Sequence, residues 1–382
     1  LSYIVAGLAC GFAALAYAEL ASSAGGSGSA YGYAYAGLGE IIAWIIGWAL
    51  MLEYGLAVSA VAIGWSGYFV NGLSAVGITL PAEFVNPPHS GGIVNLPAVG
   101  IILALGTLLC VGVSGSAKLN AFGVTIKVIS ILVFIAVAIG HVNTDNWHPF
   151  APYGFSGIMG GAGLIFFAYI GFDAVSTAAD EAKNPQRDMP IGIIASLVAC
   201  TILYMIVAGL LTGIANYTTL NNPSPVSKAL LDLGINWAGG VTAVGAVAGL
   251  TTVILVCYYA QSRVLFAMSR DGLLPKMFRS VNQTTKTPVN GIVFAGVVMA
   301  AVAGFARIDE VAQLTNMGTL LAFTVVCVGV MVLRKTRPDL HRPFRTPFMP
   351  VVPILGIVFC VWLMVSLPLS TWRYFAIWMA LG

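Results

Sequence analysis

Apolar and polar segments alternate along the whole chain at a spacing typical of membrane-spanning helices. Ten apolar stretches, each near the roughly 20 residues that cross a bilayer or longer, are separated by polar or Pro- and Gly-rich breaks. They cover about residues 1–20, 40–70, 95–113, 119–140, 156–178, 190–214, 239–265, 289–305, 311–333 and 350–368, and an eleventh begins near residue 373. This pattern predicts an all-α, polytopic membrane protein.

The distribution of Lys and Arg supports this segmentation. Thirteen of the seventeen lie in one set of alternating connections, and three lie in the opposite set. Because cytoplasmic loops carry the excess of positive charge, the first set is predicted to face the cytoplasm and residue 1 to face the outside. The remaining cation, Lys127, lies inside a predicted span.

Composition also fits a chain embedded in lipid. Hydrophobic residues make up 59% of the sequence and charged residues 8%, against about 25% charged in soluble domains, and the mean hydropathy is +0.92. The few cations are scattered, which argues against nucleic acid as a partner. Six cysteines stand singly in apolar runs and the four histidines lie in loops, so no metal, cofactor or enzymatic site is predicted.

Three ionisable residues lie deep inside predicted spans: Glu53, Lys127 and Asp173. A charge at that depth is costly and is a functional candidate by default. Burial favours the neutral amine of Lys127, which would let it exchange a proton; the alternative is a structural lysine neutralised by Glu53 or Asp173. Glu19 and Glu40 lie at span ends and are predicted to be solvated.

The fifth span contains a candidate helix break. Its segment Gly160–Ala174 reads GGAGLIFFAYIGFDA, with an aspartate two residues after a glycine. Unwound backbone at membrane depth is tolerated where it lines a cavity, and its free carbonyls can receive an ammonium group. The alternative is a continuous helix whose glycines let neighbouring helices approach closely.

Several ordered segments carry a family resemblance. They read FFAYIGFD at 166–173, DEAKNPQRDMP at 180–190, YAEL at 17–20, GWSGY at 64–68 and RVLFAMSRDG at 263–272. Together they resemble bacterial cationic amino acid transporters of the amino acid–polyamine–organocation superfamily, over essentially the whole chain.

The resemblance implies a LeuT-like 5+5 inverted-repeat fold, in which two five-helix repeats surround a site at the membrane midplane and two helices follow. On that scheme residues 1–382 form a single transmembrane transporter domain of about ten complete helices plus the start of another. The chain is expected to be a fragment that lacks the first helix, which in the family supplies half of the binding site, and most of the twelfth.

The resemblance also implies roles for individual residues. Phe167, Ala168 and Ile170 match the broken sixth helix of the family, where backbone carbonyls meet the substrate amine and the Phe side chain closes over it. Cys257 matches a position facing the substrate side chain, and Val253 is its neighbour one turn back. No free carboxylate is apparent around Cys257, so neutral substrates are expected at least as much as cationic ones.

Lys127 matches the fifth-helix lysine that, in proton-coupled members, occupies the position of a sodium ion in sodium-coupled relatives. The resemblance therefore implies a proton-coupling role for Lys127. Glu53 and Asp173 match acidic positions of the family and are assigned to gating or to a polar network.

The resulting hypothesis is a secondary active transporter that imports neutral and/or cationic amino acids with protons, by alternating access, across the bacterial inner membrane. An amino acid or polyamine exchanger is the first alternative. An ion channel is disfavoured because the intramembrane charges are single and of unlike sign. A non-transporting membrane subunit, and a small membrane-protein partner, remain open.

Overall fold

The computed structural model describes residues 1–23, 29–75, 77–175, 182–220 and 224–382. Residues 180 and 181 of the family-like segment lie outside the described residues. The described part of the chain is all-α. The helices are α1 (Ser2–Ser23), α2 (Ser29–Leu38), α3 (Glu40–Ala75), α4 (Leu96–Val111), α5 (Val113–Ala138), α6 (Gly154–Ile165), α7 (Pro185–Ile214), α8 (Pro225–Asp232), α9 (Asn236–Arg270), α10 (Val289–Phe305), α11 (Ile308–Thr336), α12 (Val351–Val365) and α13 (Leu369–Leu381).

Nine of the ten predicted apolar stretches each coincide with one helix, and the fifth, 156–178, begins as α6. Within the described ranges, seven helical segments have the length and hydropathy of a membrane span, and α12 and α13 together, bent by 109°, would make an eighth. Helices α4 and α10 are apolar but only 16 and 17 residues long. Helices α2 and α8 have 10 and 8 residues and are too short to span a membrane. Both lie in segments that the hydropathy pattern assigns to connections between spans.

Helix α3 organises the interior. It has 36 residues and packs against α9 and α11, while α5 packs against α9. Gly318 of α11 permits a close approach to α3, because a Cβ there would lie 3.2 Å from the Ala49 carbonyl oxygen and 3.5 Å from Glu53 Cβ. The packing thus places Glu53 at the α3–α11 contact and Lys127 at the α5–α9 contact.

A buried charge cluster ties α1 to the end of α11 and to the linker 337–350. Glu19 is 1% exposed and accepts two hydrogen bonds from Arg334, at 2.8 Å from Nε and 2.6 Å from Nη2. It also accepts one from the Thr346 backbone N–H at 2.7 Å, and Arg342 Nε lies 3.4 Å away. The expectation that Glu19 is solvated was therefore wrong, whereas Glu40 is exposed as predicted.

Tryptophan side chains hold α13 against α3. The Trp48 indole donates to the Trp378 carbonyl at 2.8 Å, and the Trp378 indole donates back to the Trp48 carbonyl at 3.0 Å. Their rings stack with centroids 4.5 Å apart, and Trp44 stacks on the other face of this pair, 5.7 Å from Trp48. Both indole N–H groups are thereby satisfied within an apolar contact.

Candidate functional site

The helix break predicted in the fifth span is present. Helix α6 ends at Ile165 and continues as a single 3₁₀ turn, Phe166–Tyr169. Ile170 then adopts extended backbone with φ −61° and ψ 133°, and Gly171 has φ +117°, a value that L side chains rarely adopt. The alternative of a continuous helix through Gly171 is therefore wrong.

Neighbouring helices satisfy part of this broken backbone. The Tyr204 hydroxyl of α7 donates to the Ala168 carbonyl at 2.6 Å, and the Ile170 N–H donates to the Phe167 carbonyl at 3.3 Å. The Asn316 amide of α11 donates to the Gly163 carbonyl at 2.9 Å. A carbonyl oxygen has two lone pairs, so Ala168 keeps capacity for a second donor even with Tyr204 bound.

Asp173 is anchored just after the break. Its side chain is fully buried, and Oδ2 accepts a hydrogen bond of 2.6 Å from the Tyr54 hydroxyl of α3. Its other oxygen, Oδ1, accepts from the Gly171 backbone N–H at 3.1 Å. The left-handed turn at Gly171 thus aims a backbone donor at the carboxyl group, which fixes the orientation of Asp173 toward α3.

Glu53 of α3 lies near this group. It is fully buried, and neither carboxyl oxygen has a hydrogen-bond partner in the described part of the chain. It is close enough to Asp173 and Thr319 to interact with both. Because an unpaired buried carboxyl is costly, Glu53 is an open acceptor site for a proton or for a donor group.

The thiol of Cys257 on α9 is 4% exposed and interacts electrostatically with both Asp173 and Glu53. Asp173 is held by Tyr54 and the Gly171 N–H and so is not a free carboxylate, and the expectation that neutral substrates suit this site at least as well as cationic ones stays a prediction. The sequence could not reveal this grouping, because the three residues stand on α3, on the break after α6 and on α9, far apart along the chain.

Lys127 lies in a different place, on a mainly apolar cavity of about 280 Å³ between α5 and α9. Its side-chain stem fills the space over Gly249, where a Cβ would lie 2.7 Å from Lys127 Cδ. Val253 lines the same cavity, as do the residues that carry hydroxyl groups, Tyr68, Ser130 and Thr242.

No carboxylate of the described residues forms an ion pair with Lys127. The alternative of neutralisation by Glu53 or Asp173 is therefore not realised in this structure. The predicted residues instead form two groups along α9. One contains Cys257, Glu53 and Asp173, and the other, one helical turn away, contains Val253 and Lys127.

Sequence reasoning missed Tyr54 and Tyr204, which orient Asp173 and the Ala168 carbonyl. Tyrosine in an apolar run is common at membrane interfaces, so the residue type alone gives no signal. For Tyr54 the adjacent Glu53 was a usable signal, since a buried carboxyl group requires donors nearby.

Comparison with known proteins places the chain in a family. Residues 1–381 match the family model described as amino acid permease. The methylthioribose transporter of Bacillus subtilis (strain 168) is 50% identical over 384 residues, covering 100% of this chain and 83% of its own length. The branched-chain amino acid permease BcaP of the same organism is 48% identical over 387 residues, again covering 100% of this chain and 83% of its own length.

A plant relative, the vacuolar cationic amino acid transporter 4 of Arabidopsis thaliana, is 40% identical over 348 residues, which is 88% of this chain and 58% of the relative. All three are named for transport rather than for an enzymatic reaction, as the sequence predicts. The chain therefore belongs to the amino acid permease family, within the amino acid–polyamine–organocation superfamily, and is a multi-pass protein of the plasma membrane.

Proposed function

We propose that residues 1–382 form a single transmembrane domain that carries amino acids by alternating access, coupled to protons. The observation that carries this proposal is the broken α6 next to two buried carboxyl groups, Asp173 and Glu53. A discontinuous helix at the membrane midplane offers backbone carbonyls to an ammonium group, which a continuous helix cannot do.

In this proposal the substrate amine binds the backbone of Phe167, Ala168 and Ile170, and the Phe167 side chain covers it. Cys257 faces the substrate side chain and limits its size, whereas Val253, one turn back on α9, lines the cavity that contains Lys127. The proximity of Cys257 to Glu53 and Asp173 supports acceptance of a cationic side chain in addition to a small neutral one, because a positive group there would compensate buried negative charge.

Lys127 is the proposed site of proton coupling. No carboxylate of the described residues pairs with Lys127, and its side chain lies on a mainly apolar cavity, which supports a role in taking up and releasing the coupled proton. The aliphatic part of its side chain lies directly against Gly249 of α9. A change in the charge of Lys127 would therefore alter the packing between α5 and α9. Protonation would hold these two helices in the state that binds substrate.

The proposal is tested by uptake into proteoliposomes. Labelled alanine uptake is measured with and without an inward proton gradient, in competition with a panel of neutral and cationic amino acids and polyamines. A proton-coupled importer accumulates alanine only with the gradient. Uptake that requires internal amino acid and ignores the gradient would instead establish an exchanger.

The variant Lys127→Ala is expected to abolish proton-driven uptake while substrate binding partly survives, because it removes the proposed proton site and leaves the α6 break intact. Lys276→Ala, which removes an exposed cation on the connection after α9, is the matched control and should transport normally. Undiminished proton-driven uptake by Lys127→Ala would refute the coupling role.

A second candidate substrate is methylthioribose, because a relative 50% identical to this chain bears that name. The competition panel therefore includes methylthioribose. Displacement of alanine by the amino acids alone supports the proposal, whereas uptake of labelled methylthioribose without displacement by any amino acid would assign the site to the thiosugar.

A further inference from the structure

The linker 337–350, between α11 and α12, is held firmly at the end of the helix bundle. Arg342 is nearly buried, and its guanidinium donates to the carbonyls of Leu333, Arg337 and Leu340 at 3.0, 2.7 and 2.8 Å. Arg334 donates to the Thr346 carbonyl at 3.0 Å. The inward-facing arginines, together with the buried Thr346, thus fix the path of the linker.

The outward side of this segment is cationic. Lys335, Arg337 and Arg345 are exposed, and the acid in the segment, Asp339, is 3.9 Å from Arg337 with a side chain 76% exposed. The guanidinium of Arg334, the residue before Lys335, donates to the carbonyl of Thr346, the residue after Arg345. Lys335 and Arg345 therefore both lie where the linker is anchored to the end of α11, although they are ten residues apart in sequence.

A large apolar side chain follows these cations in the linker, three residues after Arg345. Phe348 is 81% exposed and adopts φ 48°, a left-handed backbone conformation that is unfavourable for a bulky residue. Val351, the first residue of α12, is 55% exposed. An exposed phenylalanine in a strained conformation is difficult to explain on a surface that faces only water.

The linker lies where a membrane surface would be. Helix α11 ends at Thr336 and α12 begins at Val351, and both are strongly apolar. The segment belongs to the cation-rich set of connections, which faces the cytoplasm. Lipid phosphates of the inner leaflet lie at the level of such residues, and acyl chains begin just beneath them.

We propose that Lys335, Arg337, Arg345 and Phe348 form a binding surface for the headgroup of an anionic phospholipid. The three cations bind the phosphate of the anionic headgroup, and Phe348 inserts among the acyl carbons nearest the headgroup. Charge complementarity selects an anionic over a zwitterionic lipid, and the fixed linker pre-organises the surface before the lipid arrives.

The test measures retained lipid by native mass spectrometry of the purified protein in detergent, with phosphatidylglycerol and phosphatidylcholine as probes. The wild type is expected to retain phosphatidylglycerol preferentially, and raised salt should reduce the preference.

Lys335→Gln with Arg345→Gln should weaken phosphatidylglycerol binding roughly tenfold or more, since each cation near the headgroups contributes about 1 kcal/mol. Phe348→Ser should weaken the binding of both lipids by about fivefold or more, because it removes the apolar side chain that inserts among the acyl carbons.

The matched control is Lys228→Gln with Arg373→Gln, which removes two exposed cations from the opposite set of connections and should leave lipid retention unchanged. Equal retention of the two lipids by the wild type, or an equal loss in the control, would overturn the proposal. Lipid indifference combined with cation-dependent binding of polyglutamate would also overturn it and assign the surface to an acidic protein partner. The readout is binding, so the result is independent of the transport assay.

Discussion

At the scale of single residues, the two carboxyl groups next to the α6 break differ in the donors that surround them. Glu53 and Asp173 are both fully buried, and Tyr54 and a backbone N–H are directed at Asp173 rather than at Glu53. A buried carboxyl group with no donor is stable only when it is protonated or when a positive group arrives. Glu53 is therefore the position at which the charge of a substrate should matter most.

Glu53→Gln is expected to weaken lysine or arginine binding roughly tenfold or more and to leave alanine binding within about twofold, because a hydrogen bond to a charged group contributes about 1.5–3 kcal/mol. Competition of labelled alanine uptake by each amino acid measures both. Glu83→Gln, an exposed change outside the spans, is the control. If Glu53→Gln impairs alanine and lysine equally, Glu53 has a gating role instead.

The residues that sequence could identify were those whose type is costly in their surroundings. Glu53, Lys127 and Asp173 interrupt apolar runs and so were evident without a structure. Glu19 was misjudged because its partner, Arg334, is 315 residues away. Nothing in the local sequence distinguishes a solvated glutamate at a helix end from one bound to a distant guanidinium.

At the scale of helices, the hydropathy pattern located every apolar span but not its interruptions. The break after α6 was one of two readings of Gly171 and Asp173, because a glycine near an aspartate suits both close packing and unwinding. The 109° bend between α12 and α13 lies at a short break that ends in Pro368. Proline cannot donate a backbone hydrogen bond, so it suits the end of such a break. Helix lengths set by packing, such as that of α3, cannot be derived from hydropathy alone.

The charge cluster of Glu19 with Arg334 and Arg342 is expected to be important for joining α1 to α11. Glu19→Gln should lower the free energy of unfolding by about 3 kcal/mol, because it leaves two largely enclosed guanidinium groups without their carboxylate. Glu40→Gln, at the exposed start of α3, should cost less than about 1 kcal/mol. Thermal unfolding in detergent compares them; equal losses would show that the cluster contributes little.

At the scale of the whole molecule, the division of Lys and Arg between alternate connections predicts which face is cytoplasmic. His89 is exposed on the connection between α3 and α4, and Arg279 is exposed on the connection between α9 and α10. Their connections belong to opposite sets, so the two side chains should lie on opposite sides of the membrane.

A membrane-impermeant thiol reagent added to intact cells should therefore label His89→Cys and not Arg279→Cys. After permeabilisation both should be labelled, and the unsubstituted protein gives the background from its six cysteines. Labelling of Arg279→Cys in intact cells would invert the orientation, and with it the inner-leaflet assignment of the lipid-binding surface.

The stacked tryptophans between α3 and α13 have a consequence for how the molecule can be observed. Indole rings held 4.5 Å apart and inclined by only 14° are in a fixed asymmetric environment, and fixed packing of this kind contributes to the near-ultraviolet circular dichroism signal. Trp48 and Trp378 are thus an optical reporter already built into the protein, one that reads whether α13 is docked on α3 without any added label.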